Sequence, residues 1–270
     1  MDSNTLRKLQ LVETEILKII AEFCKKHNIK YSLYAGTALG AVRHGGFIPW
    51  DDDVDVYMER NEYNRFLELW EKEKVEGYYL QGTNKPDYSG LNHSKIRKDR
   101  TVLASFEQMK EDCHHGIWVD IFPLDKVPTD KKKRKKFLFK AKLRMVYTRG
   151  VPFKKGSFAL RLISKILLIP SRKRQLKIRN KLEKQIIDGY KDLNSGYEYM
   201  SLAASENFNM FFPAKVVEEL STINFEGEEF AVSKNYHEFL TLMYGDYMKL
   251  PPEEQRVCKH NPEVLEFGDN

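Results

Sequence analysis

The chain has 270 residues, 41% of them hydrophobic and 31% charged, with a net charge of +6 at neutral pH. That composition excludes collagen-like, coiled-coil and largely disordered chains, and it suits one large α/β domain or a catalytic domain with a helical appendage. No apolar run approaches the roughly 18 residues that cross a bilayer. The N-terminus lacks a signal-like apolar region, and Cys24, Cys113 and Cys258 lie far apart without a CxxC pair. A reducing cytoplasm is therefore the expected setting.

In chain order, Leu9, Val12, Ile16, Ile20 and Phe23 recur at helical spacing and predict an amphipathic helix ending near His27. Tyr31 to Ala35 reads as a short strand running into Gly36-Thr37, a turn that enters a helix. Asp53 to Tyr57 alternates polar and apolar like a half-buried strand, and a helix is expected from about Asn61 to Lys74. Tyr78–Leu80, Ser94–Arg97 and Ile117–Phe122 are further expected strands. From Asp130 the texture changes: between Lys131 and Lys184 there are 21 Lys/Arg against one acid, Glu183, whereas the rest of the chain is net −14. Helical patterns cover Phe137–Thr148, Phe158–Ile169 and Arg172–Tyr190.

The stretch from Gly36 to Asp55 carries the chemistry. On an extended strand Asp53 and Asp55 point the same way, about 7 Å apart, and Asp51 joins them if the extended geometry reaches back, with Asp52 turned away. Carboxylates converging on one face repel each other, and a hard divalent cation, magnesium or manganese, relieves that repulsion. The Gly36-Thr37 turn offers backbone N–H groups and a hydroxyl to a phosphate. Together they suit metal-dependent phosphoryl or nucleotidyl transfer. A solvated acidic loop is the competing reading, and Ile48-Pro49-Trp50 with Val54 and Val56 argues instead for a rigid edge. Arg43 and His44 sit where they would meet phosphate, and Lys95 with Arg97 alternates on a strand in reach of a diphosphate. Cys113-His114-His115 lacks a fourth zinc ligand at suitable spacing.

The stretch from Tyr34 to Val56, with Gly36-Thr37, Arg43-His44-Gly45-Gly46 and Trp50-Asp51-Asp52-Asp53-Val54-Asp55, closely resembles the signature of the LicD family of transferases. Trp118-Val119-Asp120-Ile121-Phe122-Pro123 is similar to that family's second block, and Tyr244-Gly245-Asp246-Tyr247 with Arg256 and His260 to its C-terminal block. The resemblance implies an α/β fold, a nucleotidyltransferase-type mixed sheet with a helical basic insertion and a C-terminal helical region. It implies a catalytic core over 1–130, the insertion over 131–190, and a part over 191–270 that completes the domain. Gly36 and Thr37 fall on the superfamily's glycine–serine turn. Asp53 and Asp55 fall on its metal-binding pair, Asp51 on an additional metal carboxylate, and Asp120 on a third carboxylate that binds a second metal or takes the acceptor's proton. Arg43, His44, Lys95, Arg256 and His260 are the candidate substrate contacts.

The implied reaction moves a phospho-alcohol from a CDP-activated donor to a sugar hydroxyl of a glycan or lipid-linked glycan, such as a teichoic-acid or lipopolysaccharide precursor. Phosphocholine from CDP-choline is the first expectation. Glycerol or ribitol phosphate, an NTP-using nucleotidyltransferase and a non-catalytic membrane-bound binding protein stay as alternatives. For the basic segment, no nucleic-acid-binding motif accompanies the charge, and nucleic acid is not the expected partner. Phe158–Ile169 interleaved with Arg and Lys fits a helix lying on an anionic membrane surface, at the inner face of the cell membrane. The structural competitor is an apolar core helix flanked by solvent-facing lysines.

Overall fold

A computed structural model describes residues 1–82, 92–203, 210–260 and 262–268. The elements follow the order α1 (Ser3–His27), β1 (Ser32–Leu33), α2 (Ala35–His44), β2 (Asp55–Glu59), α3 (Arg60–Glu73), β3 (Tyr78–Gln81), β4 (Ser94–Lys98), β5 (Val102–Ala104) and β6 (Trp118–Pro128). Then come α4 (Lys131–Arg149), α5 (Phe158–Leu167), α6 (Arg172–Tyr190), β7 (Tyr197–Met200), β8 (Phe212–Pro213), α7 (Ala214–Glu218), β9 (Leu220–Phe225), β10 (Glu228–Ser233), α8 (Tyr236–Tyr244) and β11 (Val264–Glu266). The fold is α/β, as expected. Two compact units share the chain: Met1–Ser89, His93–Pro123 and Lys215–Asn270 form one, and Gly90–Asn92 with Leu124–Ala214 the other.

In the first unit α1 starts where Asp2 accepts hydrogen bonds from the backbone of Asn4 and Thr5, and it stops at Asn28, which turns left-handed at φ 51°. Its buried stripe runs through Leu9, Ile16, Leu17, Ile20 and Phe23, with Val12 at the margin. Phe23 meets Trp70 of α3 at 4.8 Å between ring centres, and Phe66 lies 5.1 Å from the same indole. The sheet order is β1-β2-β6-β4-β3, and β1–β2, β4–β6 and β3–β4 pair antiparallel. Val56, Met58, Ile96, Val119 and Ile121 fill the space along it and are fully buried.

One expected strand comes out shorter and another is displaced by two residues. Only Ser32 and Leu33 pair with β2, because Tyr34 N–H closes on the Asp55 carbonyl and Ala35 already opens α2. For the same reason β2 begins at Asp55, so Asp53 belongs to the loop before the strand and not to its alternation. The β9–β10 hairpin was not anticipated; its turn residues Glu226 and Gly227 both have positive φ, 56° and 83°, as a two-residue primed turn requires. From that turn the Glu226 carboxylate accepts the Phe47 N–H and pairs with Arg7, which pins the loop leading to the acids.

In the second unit α4 and α6 pack against each other, and the far half of β6 pairs with β7 through Asp125–Pro128. Val127, Phe137, Ala141, Ile186, Met200 and Leu202 make its core. The one acid of the basic stretch, Glu183, accepts from the buried Arg144 at 3.1 Å, while Arg144 also donates to the Leu202 carbonyl. The +20 segment thus keeps its single negative charge for an interior cation.

Gly40 shows how tightly α2 is held. A Cβ there would lie 2.5 Å from the Gly46 carbonyl oxygen. Helix propensity alone makes Gly→Ala stabilising by about 1 kcal/mol, whereas forcing the two backbones apart costs about 1–3 kcal/mol. Gly40→Ala is therefore expected to lower the thermal midpoint; a higher midpoint would show that the loop yields freely.

Candidate active site

The acids stand on the loop between Pro49 and β2, and three features of the local sequence hold it. First, Gly36 in the opening turn of α2 leaves room for Asp51: a Cβ would sit 2.7 Å from Asp51 Oδ2. Second, the Thr37 hydroxyl oxygen accepts the Asp55 N–H at 2.8 Å, locking the glycine turn to the start of β2 through a lone pair and leaving its own hydrogen uncommitted by that bond. Third, Gln10 of α1 donates to the Asp51 carbonyl at 3.0 Å, and Asp120 N–H donates to the Val54 carbonyl at 2.9 Å. Ala35 enters α2 at φ 44°, a left-handed conformation for a residue with a Cβ, at the point where the chain must reverse from β1.

One oxygen each from Asp51, Asp52 and Asp53 gathers within 4.8 Å. Burial, and then Asp53, pushes the Asp51 carboxyl up to about 7. Burial also raises Asp53, against the pull of His260 and Lys259. Asp55 is held well above the usual carboxylate range by burial and by Asp53, Asp120 and Asp51. Asp52 behaves differently. It does not simply turn away: burial works against its charge, yet the His260 ring nitrogen at 3.2 Å, the His260 N–H at 3.0 Å and the Lys259 N–H bring its pKa down. His260 in turn is raised, mainly by Asp52.

Asp120 is the counterweight. Its position on β6 faces Lys95 across the ladder to β4, and Lys95 Nζ lies 2.6 Å from Oδ1. His93 Nε2 at 2.9 Å and the Trp118 indole N–H at 3.0 Å complete its shell. Burial alone would raise this carboxyl; Lys95 and His93 overrule it and hold Asp120 far below the usual range. Lys95 also lies 4.2 Å over the Trp118 ring. Lys95 is thus engaged by Asp120 first, and Arg97 by the Gly116 carbonyl and Gln81.

The remaining candidates sit further out. Arg43 donates to the Tyr247 carbonyl at 2.9 Å and to His44, tying α2 to the C-terminal block, and its charge still acts on Asp51. Arg256 donates to the Pro251 carbonyl and lies 5.7 Å over the Trp50 ring, next to the acids in sequence. Two further members escaped the sequence reading. His93 stacks on Phe122 at 4.3 Å and reaches Asp120. Glu13 of α1 is 2% exposed, one of its oxygens lacks a hydrogen-bond partner, and Asp53, Asp52, Asp51 and Asp120 add to burial in raising its pKa well above normal. The signal was an acid at helical spacing within an apolar stripe, between Leu9 and Ile16.

A divalent cation fits this donor set. One oxygen each of Asp51, Asp52 and Asp53 lies within 4.8 Å of the others, like charges that a cation among them would reconcile, and the orphaned Glu13 oxygen marks a site short of positive charge.

The LicD/FKTN/FKRP nucleotidyltransferase domain model matches residues 28–161. This chain belongs to the LicD family. It is 34% identical over 274 residues to the lipopolysaccharide cholinephosphotransferase LicD of Haemophilus influenzae, covering 98% of this chain and 99% of that protein. An uncharacterized protein of Rickettsia typhi is 39% identical over 117 residues, 42% of this chain and 37% of that one.

A pH signature follows from the raised carboxyls. Between about pH 4, where an unfolded Asp titrates, and about 7, where Asp51 does, the folded chain binds more protons than the unfolded chain, so metal-free stability falls as pH rises. Calorimetric unfolding in chelator is expected to show this decline, and Mg²⁺ to reverse it at pH 8. Glu13→Gln should raise the metal-free midpoint at pH 8 and weaken the metal response; a lowered midpoint would make Glu13 a structural acid.

Proposed function

We propose that the chain transfers phosphocholine from CDP-choline to a sugar hydroxyl of a lipopolysaccharide-type glycan, releasing CMP, with Mg²⁺ or Mn²⁺ bound by Asp51, Asp53 and Asp55. What carries the reading is the gathering of one oxygen each from Asp51, Asp52 and Asp53 within 4.8 Å, in a chain that aligns end to end with a lipopolysaccharide cholinephosphotransferase. No helix of the described residues is long and apolar enough to cross a membrane.

The bound metal would neutralise the donor diphosphate and the charge developing on the leaving CMP. Gly36 and Thr37 present the opening turn of α2, with backbone N–H groups and the Thr37 hydroxyl hydrogen directed to phosphate oxygens. Asp120, held ionised by Lys95 and His93, is a weak base and serves better as fixed negative charge than as the acceptor of the sugar proton. Arg43 and His260 fasten the C-terminal block over the acids, through Tyr247 and Asp52, and so limit water at the reacting phosphorus.

The test is CMP release by the purified chain with Mg²⁺ and CDP-choline, CDP-glycerol or CDP-ribitol offered separately, with a lipopolysaccharide acceptor. Release from CDP-choline that falls at least about 100-fold in Asp53→Asn, with the fold intact by circular dichroism, is expected. Preference for CDP-glycerol or CDP-ribitol would replace the alcohol in this reading. Silence with all three, or near-normal turnover of Asp53→Asn, would remove the metal-dependent transfer.

A further inference from the structure

α5 is built inside out. A surface helix of a globular protein turns its apolar stripe to the core and its polar face to water. Here Phe158, Leu162, Ile163 and Ile166 are 72%, 46%, 54% and 56% exposed, and Ile169 just past the helix is 78% exposed, whereas Ser164 is 1% exposed. Ser164 faces inward because it has work there: its hydroxyl accepts the Phe153 N–H at 3.1 Å and donates to the Arg161 carbonyl. At 100° per residue, Phe158, Leu162, Ile166 and Ile163 span one outward arc of the helix, with Arg161 and Lys165 along one edge. A Ser157 N-cap holds the first turn, so the arc is a formed helix and not a frayed segment.

The charge around this arc is of one sign. Between Arg149 and Lys177 there are nine basic residues and no acid, and all nine are exposed. Beside the arc, a cleft of about 470 Å³ is lined by Pro152, Phe153, Phe158 and Leu162 together with Lys154, Arg161 and Lys165. Apolar walls and three cations in one cleft match a molecule with an anionic head and a hydrocarbon body. A protein partner would have to present a long apolar ridge ringed by acids; the surface of an anionic bilayer supplies both halves at once.

We infer that α5 is a membrane-docking helix: it lies in the interface of an anionic bilayer with Phe158, Leu162, Ile163, Ile166 and Ile169 among the acyl chains and with Lys154, Arg161 and Lys165 at lipid phosphates. The long Arg and Lys side chains at the edge of the arc lay their methylene stems along the apolar surface and lift their charges to the headgroups. The inference is independent of the donor and acceptor proposed above, because it uses only the second unit.

The experiment is vesicle co-sedimentation of the full chain with phosphatidylcholine vesicles containing 0 or 30 mol% phosphatidylglycerol. Partitioning onto the anionic vesicles is expected to exceed that onto neutral ones by about 10-fold or more and to fall steeply between 50 and 500 mM salt. Ile163→Ser with Ile166→Ser should lower it about 10-fold or more, and so should Lys154→Gln with Arg161→Gln and Lys165→Gln, each with an unchanged thermal midpoint. The substituted residues are exposed, so the fold survives their loss. Equal partitioning of the wild type and both variants, or no partitioning of the wild type, would overturn the inference. So would a wild-type dimer in sedimentation equilibrium that the double Ile variant dissolves, since the arc would then cover a second copy.

Discussion

Mutual repulsion among buried carboxylates is the constraint around which the first unit is arranged. Asp51, Asp53, Asp55 and Glu13 are all driven above the usual carboxylate range, and in each case burial is the leading cause, with neighbouring acids adding to it. Left to itself such a loop would swing toward water. It is restrained by contacts to its backbone that place no cation at its carboxylates: Asp55 N–H to the Thr37 hydroxyl, Gln10 to the Asp51 carbonyl, and Phe47 N–H to Glu226 upstream. These contacts fix where the acids stand and leave their oxygens free, the economy expected of a site assembled for a cation.

The same unit also contains acids treated in the opposite way. Asp52 is met by His260 and by two backbone N–H groups, and Asp120 by Lys95, His93 and Trp118. Two carboxylates with dedicated donors, Asp52 and Asp120, and four raised by burial and by one another, Asp51, Asp53, Asp55 and Glu13, separate structural charge from available charge. Asp52 fastens the C-terminal block, and Asp120 anchors the β4–β6 register while remaining ionised. A pair of titratable groups whose environments push them apart marks a division of roles, and Asp51 against Asp120 is such a pair.

Much of this was legible in residue order, and the failures have physical causes. Helices α1, α3, α4, α5 and α6 announced themselves through spacing, and the acid motif through its Pro-Trp entry and β-branched interleaving. The strand boundary at Asp53 failed because alternation describes side chains and not ladder partners; the partner strand ends at Leu33, so pairing cannot extend back to Asp53. Lys95 read as a candidate phosphate contact, and its pairing with Asp120 across the ladder is not something a sequence displays. Glu13 and His93 lie 40 and 27 residues from the acids they serve, Asp53 and Asp120, and neither belongs to a local pattern of acids. A carboxylate inside an apolar helical stripe is nonetheless a rule-breaking residue, and such breaks are where function collects.

α5 breaks a different rule for a different reason. For Phe158–Ile169 the sequence allowed a core helix with solvent-facing lysines, and periodicity alone cannot decide which side of an amphipathic helix meets the protein. The decision lies in one small polar residue: Ser164 takes the inward position and closes the 153–164 loop with its hydroxyl, so the apolar arc is turned away from the unit it belongs to. Were this arc only an unpaired flaw, exposed Phe and Ile on a soluble surface would invite aggregation. Nine exposed cations flank it instead, so a second copy approaching the arc meets like charge, and the apolar face and the charge around it form one surface feature.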